Sequence, residues 1–95
     1  MRIKFLEPAY REYNEAIEFY NLQKSGLGDK FIEEIDRTIS IIQNYPNSFP
    51  AYTGHTRKAV VNTFPYNIIY LIYKNEIIIF AIAHQHRIPD YWMNR

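Results

Sequence analysis

The chain opens on a two-residue hydrophobic period and then changes to a three-to-four-residue one. Arg2 to Leu6 alternates polar and apolar positions, with the β-formers Ile3 and Phe5 on one side, which predicts a short strand. After Glu7-Pro8, a proline suited to the first turn of a helix, Ala9, Tyr13, Ala16, Ile17 and Tyr20 recur at helical spacing to about Lys24. Arg11, Glu12, Glu15 and Glu18 fall between them, and the three glutamates are expected to form an ordinary solvated face. Ser25-Gly26-Leu27-Gly28 reads as a turn whose glycines supply positive φ, with Asp29 placed to cap the next helix. Phe31, Ile35, Ile39 and Ile42 form the second stripe, widened by Ile32, until Pro46 stops the helix near Tyr45. The two stripes should meet as a helical hairpin.

Pro46-Asn47-Ser48-Phe49-Pro50 is a rigid connection, and beyond Gly54 the pattern becomes β, over Thr56 to Phe64, Tyr66 to Tyr73 and Ile77 to Ala83. Lys74-Asn75 is short enough for a tight hairpin turn, and Pro65, which has no ladder donor, implies a bend between the first two of these strands. The order is βααβββ, an α+β class in which a helical hairpin packs on one face of an antiparallel sheet, with a short C-terminal tail. Residues 1–95 are expected to form one domain, a length that leaves room for one core. Ile68 to Tyr73 and Ile77 to Phe80 are apolar on both faces, so the face away from the helices needs a cover, part of which a partner would supply. Strict alternation puts His84 on the same face as Ile82 and Phe80, with Ala81 and Ala83 opposite.

Composition adds that this core needs no staples. Apolar residues make up 47 % and aromatics 17 %, while the absence of cysteine removes disulfides, thiol nucleophiles and thiolate metal sites and fits a reducing compartment. No stretch of the N-terminus has the apolar run of a signal peptide, and no segment approaches the roughly 18 apolar residues needed to span a bilayer, so a cytoplasmic protein without membrane contact is expected. The net charge of +1 is too small for a protein that holds nucleic acid through many phosphates. Its distribution is uneven. Residues 1–45 carry six basic and eight acidic side chains, whereas residues 46–95 carry five basic, two acidic and all three histidines.

The last twelve residues concentrate groups that bind anions, move protons or stack. His84 or His86 could serve as a general acid or base, since imidazole alone among side chains changes charge near neutral pH without perturbation, and Arg87 and Arg57 could stabilise a phosphoryl transition state. Tyr91 could stack on a base or donate a proton. An alternative reading has His84 bonded to the backbone, Arg87 paired with Asp90, and Tyr91 and Trp92 packed as a hydrophobic plug. His84-Gln85-His86 offers only two metal ligands with no third nearby in sequence, so neither metal nor cofactor is expected. Arg57 and Lys58 lie on opposite faces of their strand, and at most one of them can share a site with Arg87. There is no glycine-rich phosphate loop and no Gly-x-Ser-x-Gly elbow.

Six segments in order resemble the RelE/ParE superfamily of toxins, particularly its ParE-like branch once called plasmid stabilisation proteins. They are Ala16-Ile17-Glu18-Phe19-Tyr20, Gly26-Leu27-Gly28-Asp29-Lys30-Phe31, Tyr45-Pro46, Phe64-Pro65-Tyr66, Ile69-Tyr70, and His84 through Trp92. The resemblance implies a growth-inhibiting toxin of a type II toxin–antitoxin pair, neutralised by an antitoxin whose partly disordered tail wraps it. It also implies one of two actions. ParE-like members inhibit DNA gyrase by binding, whereas RelE-like members cleave messenger RNA on the ribosome without metal. The near-neutral charge favours the gyrase-binding action, and the histidine and arginine cluster favours cleavage, for which Arg57, His84, Arg87 and Tyr91 would be the catalytic set. A third possibility is an inactive module that binds only its antitoxin.

Overall fold

A computed structural model describes residues 1–95, with strand β1 at Arg2–Phe5, helices α1 at Glu7–Gln23 and α2 at Leu27–Asn44, then β2 at Arg57–Val60, β3 at Tyr66–Tyr73 and β4 at Glu76–His84. The element order and the α+β class are as expected. The sheet order is β1-β4-β3-β2; β2, β3 and β4 pair antiparallel, while β1 runs parallel to β4 and makes the sheet mixed. A parallel neighbour needs a crossover, and the helical hairpin between β1 and β2 provides it.

The hairpin packs on one face of the sheet. Ala9 and Ala16 of α1 and Phe31, Ile35 and Ile42 of α2 meet Ala59, Val61, Ile68, Tyr70, Ile77, Ile79 and Ile82 in the main core. Tyr20, Phe31, Phe64 and Tyr66 cross edge to face or tilted at centroid distances of 4.8 to 6.2 Å. Aromatic pairs in such geometry each add roughly 0.5–1.5 kcal/mol beyond their burial.

Two local expectations are corrected at the turn between the helices. Only Gly26 has a positive φ, at 85°, and it is the cap residue of α2; Asp29 does not cap the helix but lies in its first turn. Gly28 is already helical. It is there because its N–H donates to Asn21 Oδ1 at 2.9 Å, and a Cβ would lie 2.6 Å from that side chain. Strand β2 is also shorter than the apolar run suggests, since Asn62 to Pro65 turn away into β3, with Thr63 at φ 75°. Lys74 and Asn75 form the tight turn, with φ 48° and 63° as a primed hairpin turn requires.

A β-bulge changes the faces of β4. Ile69 pairs with Ala81 but Tyr70 pairs with Ile79, so Phe80 is the extra residue. Ile77, Ile79, Ile82 and the start of the His84 ring position belong to the helix side, whereas Phe80 joins Ala81, Ala83 and Ile69 on the outer side. Simple alternation had grouped Phe80 with Ile82 and His84; the inserted residue breaks that period.

Candidate functional site

The tail after β4 is a chain of turns, closed by Arg87 N–H to His84 O at 3.0 Å, Met93 N–H to Asp90 O at 3.0 Å and Arg95 N–H to Trp92 O at 3.1 Å. It folds back over the outer face of the sheet. Trp92, only 3 % exposed, packs on Ile69, Ala81 and Ala83, with the rings of Tyr52 and Phe80 at 6.1 and 6.5 Å. Part of the cover that the two-sided apolar strands demand therefore comes from the chain itself. Thr53 Oγ1 donates to Asp90 Oδ1 at 2.9 Å and ties the tail to the loop before β2, where Asp90 adopts a φ of 63°.

The other anchor is Glu12. β1 ends where Leu6 N–H donates to Ile79 O at 3.0 Å, and the chain then enters α1 through Pro8, which has no N–H. The edge of β4 beyond that point would stand unpaired. Instead Ile82 N–H donates to Glu12 Oε1 at 3.1 Å, and Phe80 O accepts from Arg95 Nη1 at 2.9 Å. Arg95 also grips the Glu12 carboxylate through both terminal nitrogens at 2.8 Å, and Tyr91 donates its hydroxyl proton to Glu12 Oε2. The carboxylate and guanidinium side chains are 13 % and 16 % exposed. A fork-to-fork pair of this kind combines charge with fixed geometry. Glu12 is thus not part of a solvated face, while Glu15 and Glu18 are exposed as expected.

The four residues expected to form a catalytic set are distributed differently. Arg57 is on the helix side of β2 and donates to Phe49 O at 2.6 Å and Asn47 O at 3.2 Å, organising the proline-bounded connection that Tyr70 also holds through Pro46 O at 2.7 Å. His84, Arg87 and Tyr91 do come together. His84 Nδ1 accepts the His86 N–H at 3.1 Å, so the neutral ring carries its proton on Nε2. Burial and the neighbouring His86 lower its pKa. The His84 ring lies 5.0 Å from Tyr66 and 5.1 Å from His86, so the two histidines are in contact. Arg87 stacks 3.9 Å from the Tyr91 ring and makes no ion pair with Asp90, which is engaged by Thr53. Burial, followed by the bond to Glu12, raises the Tyr91 phenol far above its ordinary value and keeps it protonated. Burial likewise pushes Tyr66 up to about 12.

Two clefts flank this cluster. On the outer face a cleft of about 160 Å³ brings Lys58, Asn67, Gln85 and Arg87 against Tyr52 and Tyr91. On the α1 side a cleft of about 280 Å³ is lined by Glu12, Glu15, Phe19, Tyr66, His84 and Arg87. The strand residue that shares a cleft with Arg87 is therefore Lys58, which lies 4.7 Å over the Tyr52 ring. The sequence reading sets Lys58 and Arg57 on opposite faces and places Arg57 in the catalytic set; in the structure Lys58, not Arg57, lies in the cleft with Arg87, because Arg57 faces the helix side and is held by backbone carbonyls. For Glu12 no sequence signal existed, because its partners lie 70 to 83 residues away.

A helical hairpin on a small mixed sheet, with a C-terminal segment pinned across the outer face and a basic cluster at the sheet's end, defines a compact α+β domain. The family model described as ParE toxin of type II toxin-antitoxin system, parDE, matches residues 3–89, and the chain belongs to that family. Among solved structures it is similar to one described as the chromosomal ParDE TA system from P. aeruginosa, with 17 % identity, a TM-score of 0.78, and coverage of 88 % of this chain and 95 % of that one. That likeness is one of fold. No curated protein matches the chain. No helix is long and apolar enough to cross a membrane.

Proposed function

We propose that the chain is the growth-inhibiting member of a toxin–antitoxin pair, acts in the cytoplasm by binding DNA gyrase, and uses the C-terminal tail with the adjoining end of the sheet as its contact surface. The observation that carries this reading is the tail itself. It is fixed at Trp92 and Glu12, yet it presents Ile88, 78 % exposed, beside Arg87, which has no ion-pair partner, and it also exposes Met93, 47 % exposed. Exposed apolar side chains next to arginine on a rigid support are what a protein-binding hot spot requires. The groups that RNA cleavage would use are largely engaged elsewhere, Arg57 by backbone carbonyls and Tyr91 by Glu12. Family membership supports a cognate antitoxin as the second partner. Expression from a tightly regulated promoter, with growth, gyrase supercoiling and translation-coupled mRNA cleavage measured together, tests the proposal. Loss of supercoiling with intact mRNA is the expected result; unaffected growth would instead identify an inactive antitoxin-binding module.

One observation favours ribosome-dependent mRNA cleavage as a second reading. Lys58 and Arg87 face one polar cleft together with Asn67 and Gln85, and His84 lies at its rim. Two cations there would clamp a phosphodiester, with His84 as the proton carrier. Under that reading Lys58→Ala abolishes mRNA cleavage and growth inhibition together, whereas mRNA that stays intact on expression of the wild type rules it out.

A further inference from the structure

We propose that Glu12, on α1, is the positioning residue of the C-terminal contact surface, holding residues 87–95 in their docked arrangement without itself meeting the target. The inference rests on the contact-surface reading above for its functional half. Its structural half stands on geometry alone. Four groups converge on this single carboxylate, and three of them come from or support the tail: both terminal nitrogens of Arg95 and the hydroxyl of Tyr91. The fourth is Ile82 N–H, on the stretch of β4 edge that β1 leaves uncovered. Glu12 and Arg95 together therefore do for residues 80–82 what a further residue pair of β1 would have done, and they couple the end of the tail to the sheet edge.

The tail has two further attachments. Trp92 supplies the apolar anchor and Thr53 one hydrogen bond to Asp90. Between these anchors Arg87 is held over the ring of Tyr91, whose hydroxyl is fixed by Glu12. Loss of the carboxylate frees the Tyr91 hydroxyl, loosens the ring on which Arg87 and Arg95 stack, and leaves Arg95 with Phe80 O as its one side-chain hydrogen bond. The tail then exchanges between docked and undocked states, and Ile88 and Arg87 lose their fixed spacing. A contact surface populated for only part of the time binds more weakly by that fraction.

Trp92 is the sole tryptophan, so its fluorescence reports the docking directly. Glu12→Ala is expected to raise acrylamide quenching of Trp92 several-fold and shift its emission to the red, to leave the far-UV circular dichroism of the helices and sheet intact, and to abolish growth inhibition. Glu12→Gln, which still offers an acceptor to Ile82 N–H and a partner to Tyr91, should restore part of both signals. Tyr91→Phe, which removes only the hydroxyl bond, gives a milder version should Glu12→Ala fail to fold. Wild-type quenching in a folded Glu12→Ala variant overturns the proposal, as does full growth inhibition in a variant whose Trp92 is released. A wild type that does not inhibit growth refutes the contact-surface reading and the functional half of this one, while the quenching series still decides whether Glu12 holds the tail.

Discussion

Glu12 and Gly28 illustrate how much a single side chain can depend on distant sequence. Glu12 sits among Glu15 and Glu18 at a spacing that fits a solvated helix face, and two of the three are exposed. Only the return of the tail converts the third into a buried ion pair. Gly28 differs from Gly26 in a similar way. One supplies a left-handed φ and the other a missing Cβ. Gly28→Ala should therefore destabilise the domain by about 1–3 kcal/mol through overpacking against Asn21, read as a lowered midpoint in urea. Asn21→Ala in the same background should recover part of the loss.

The buried phenols give a pH signature. Tyr66 ionises near its ordinary value of 10.0 when unfolded but only at about 12 when folded, and Tyr91 is raised further. The folded state thus holds protons that the unfolded chain releases, so their contribution is complete below pH 10.0 and falls as pH rises through the folded value. Thermal melts should shift downward as pH rises from 10.0 towards about 12, with the phenolate absorbance of these residues appearing only on unfolding. A phenolate signal from all nine tyrosines before any loss of circular dichroism would contradict the burial described here.

At the level of elements, β4 is the central organiser. It pairs with β1 on one side and β3 on the other, and its bulge at Phe80 transfers one large ring from the helix side to the outer side. There Phe80 helps to receive Trp92. The tail has no helix or strand of its own, so its order comes from that tryptophan and from Glu12, not from local propensity. Trp92→Ala is expected to cost about 3–5 kcal/mol, the usual range for removing a buried aromatic. The same change should expose Ile69, Ala81 and Ala83 and increase binding of a hydrophobic dye. A loss near zero would mean that the tail is not held by this packing.

For the whole molecule, the uneven charge along the sequence does not produce two separate surfaces. Arg95 is absorbed by Glu12, and Arg57 by backbone carbonyls, which leaves Lys58 and Arg87 as the cations of the outer cleft. That number of cations suits a protein contact better than a long nucleic-acid footprint. Ile88→Asp should accordingly remove growth inhibition while leaving the melting temperature within about 4 °C of wild type, since changes at exposed sites are usually within about 0.5 kcal/mol. Growth inhibition that survives Ile88→Asp would move the contact surface away from the tail.

The hydrophobic periods by themselves determined the order βααβββ, the two helix stripes, the tight turn at Lys74-Asn75 and the antiparallel run of the last three strands, because each depends on neighbours within a few residues. The sequence also set His84, Arg87, Tyr91 and Trp92 close together in its final stretch, and the structure gathers them around one cleft. Tertiary structure decided the rest. The parallel pairing of β1 with β4, the bulge at Phe80, the choice of Lys58 over Arg57 beside Arg87, and the capture of the tail by Glu12 all join positions far apart in the chain. Local periodicity carries no information about such partners. They are fixed only when the unpaired edge of β4 and the apolar outer face of the sheet must both be satisfied at once, and the tail is the segment within reach of both.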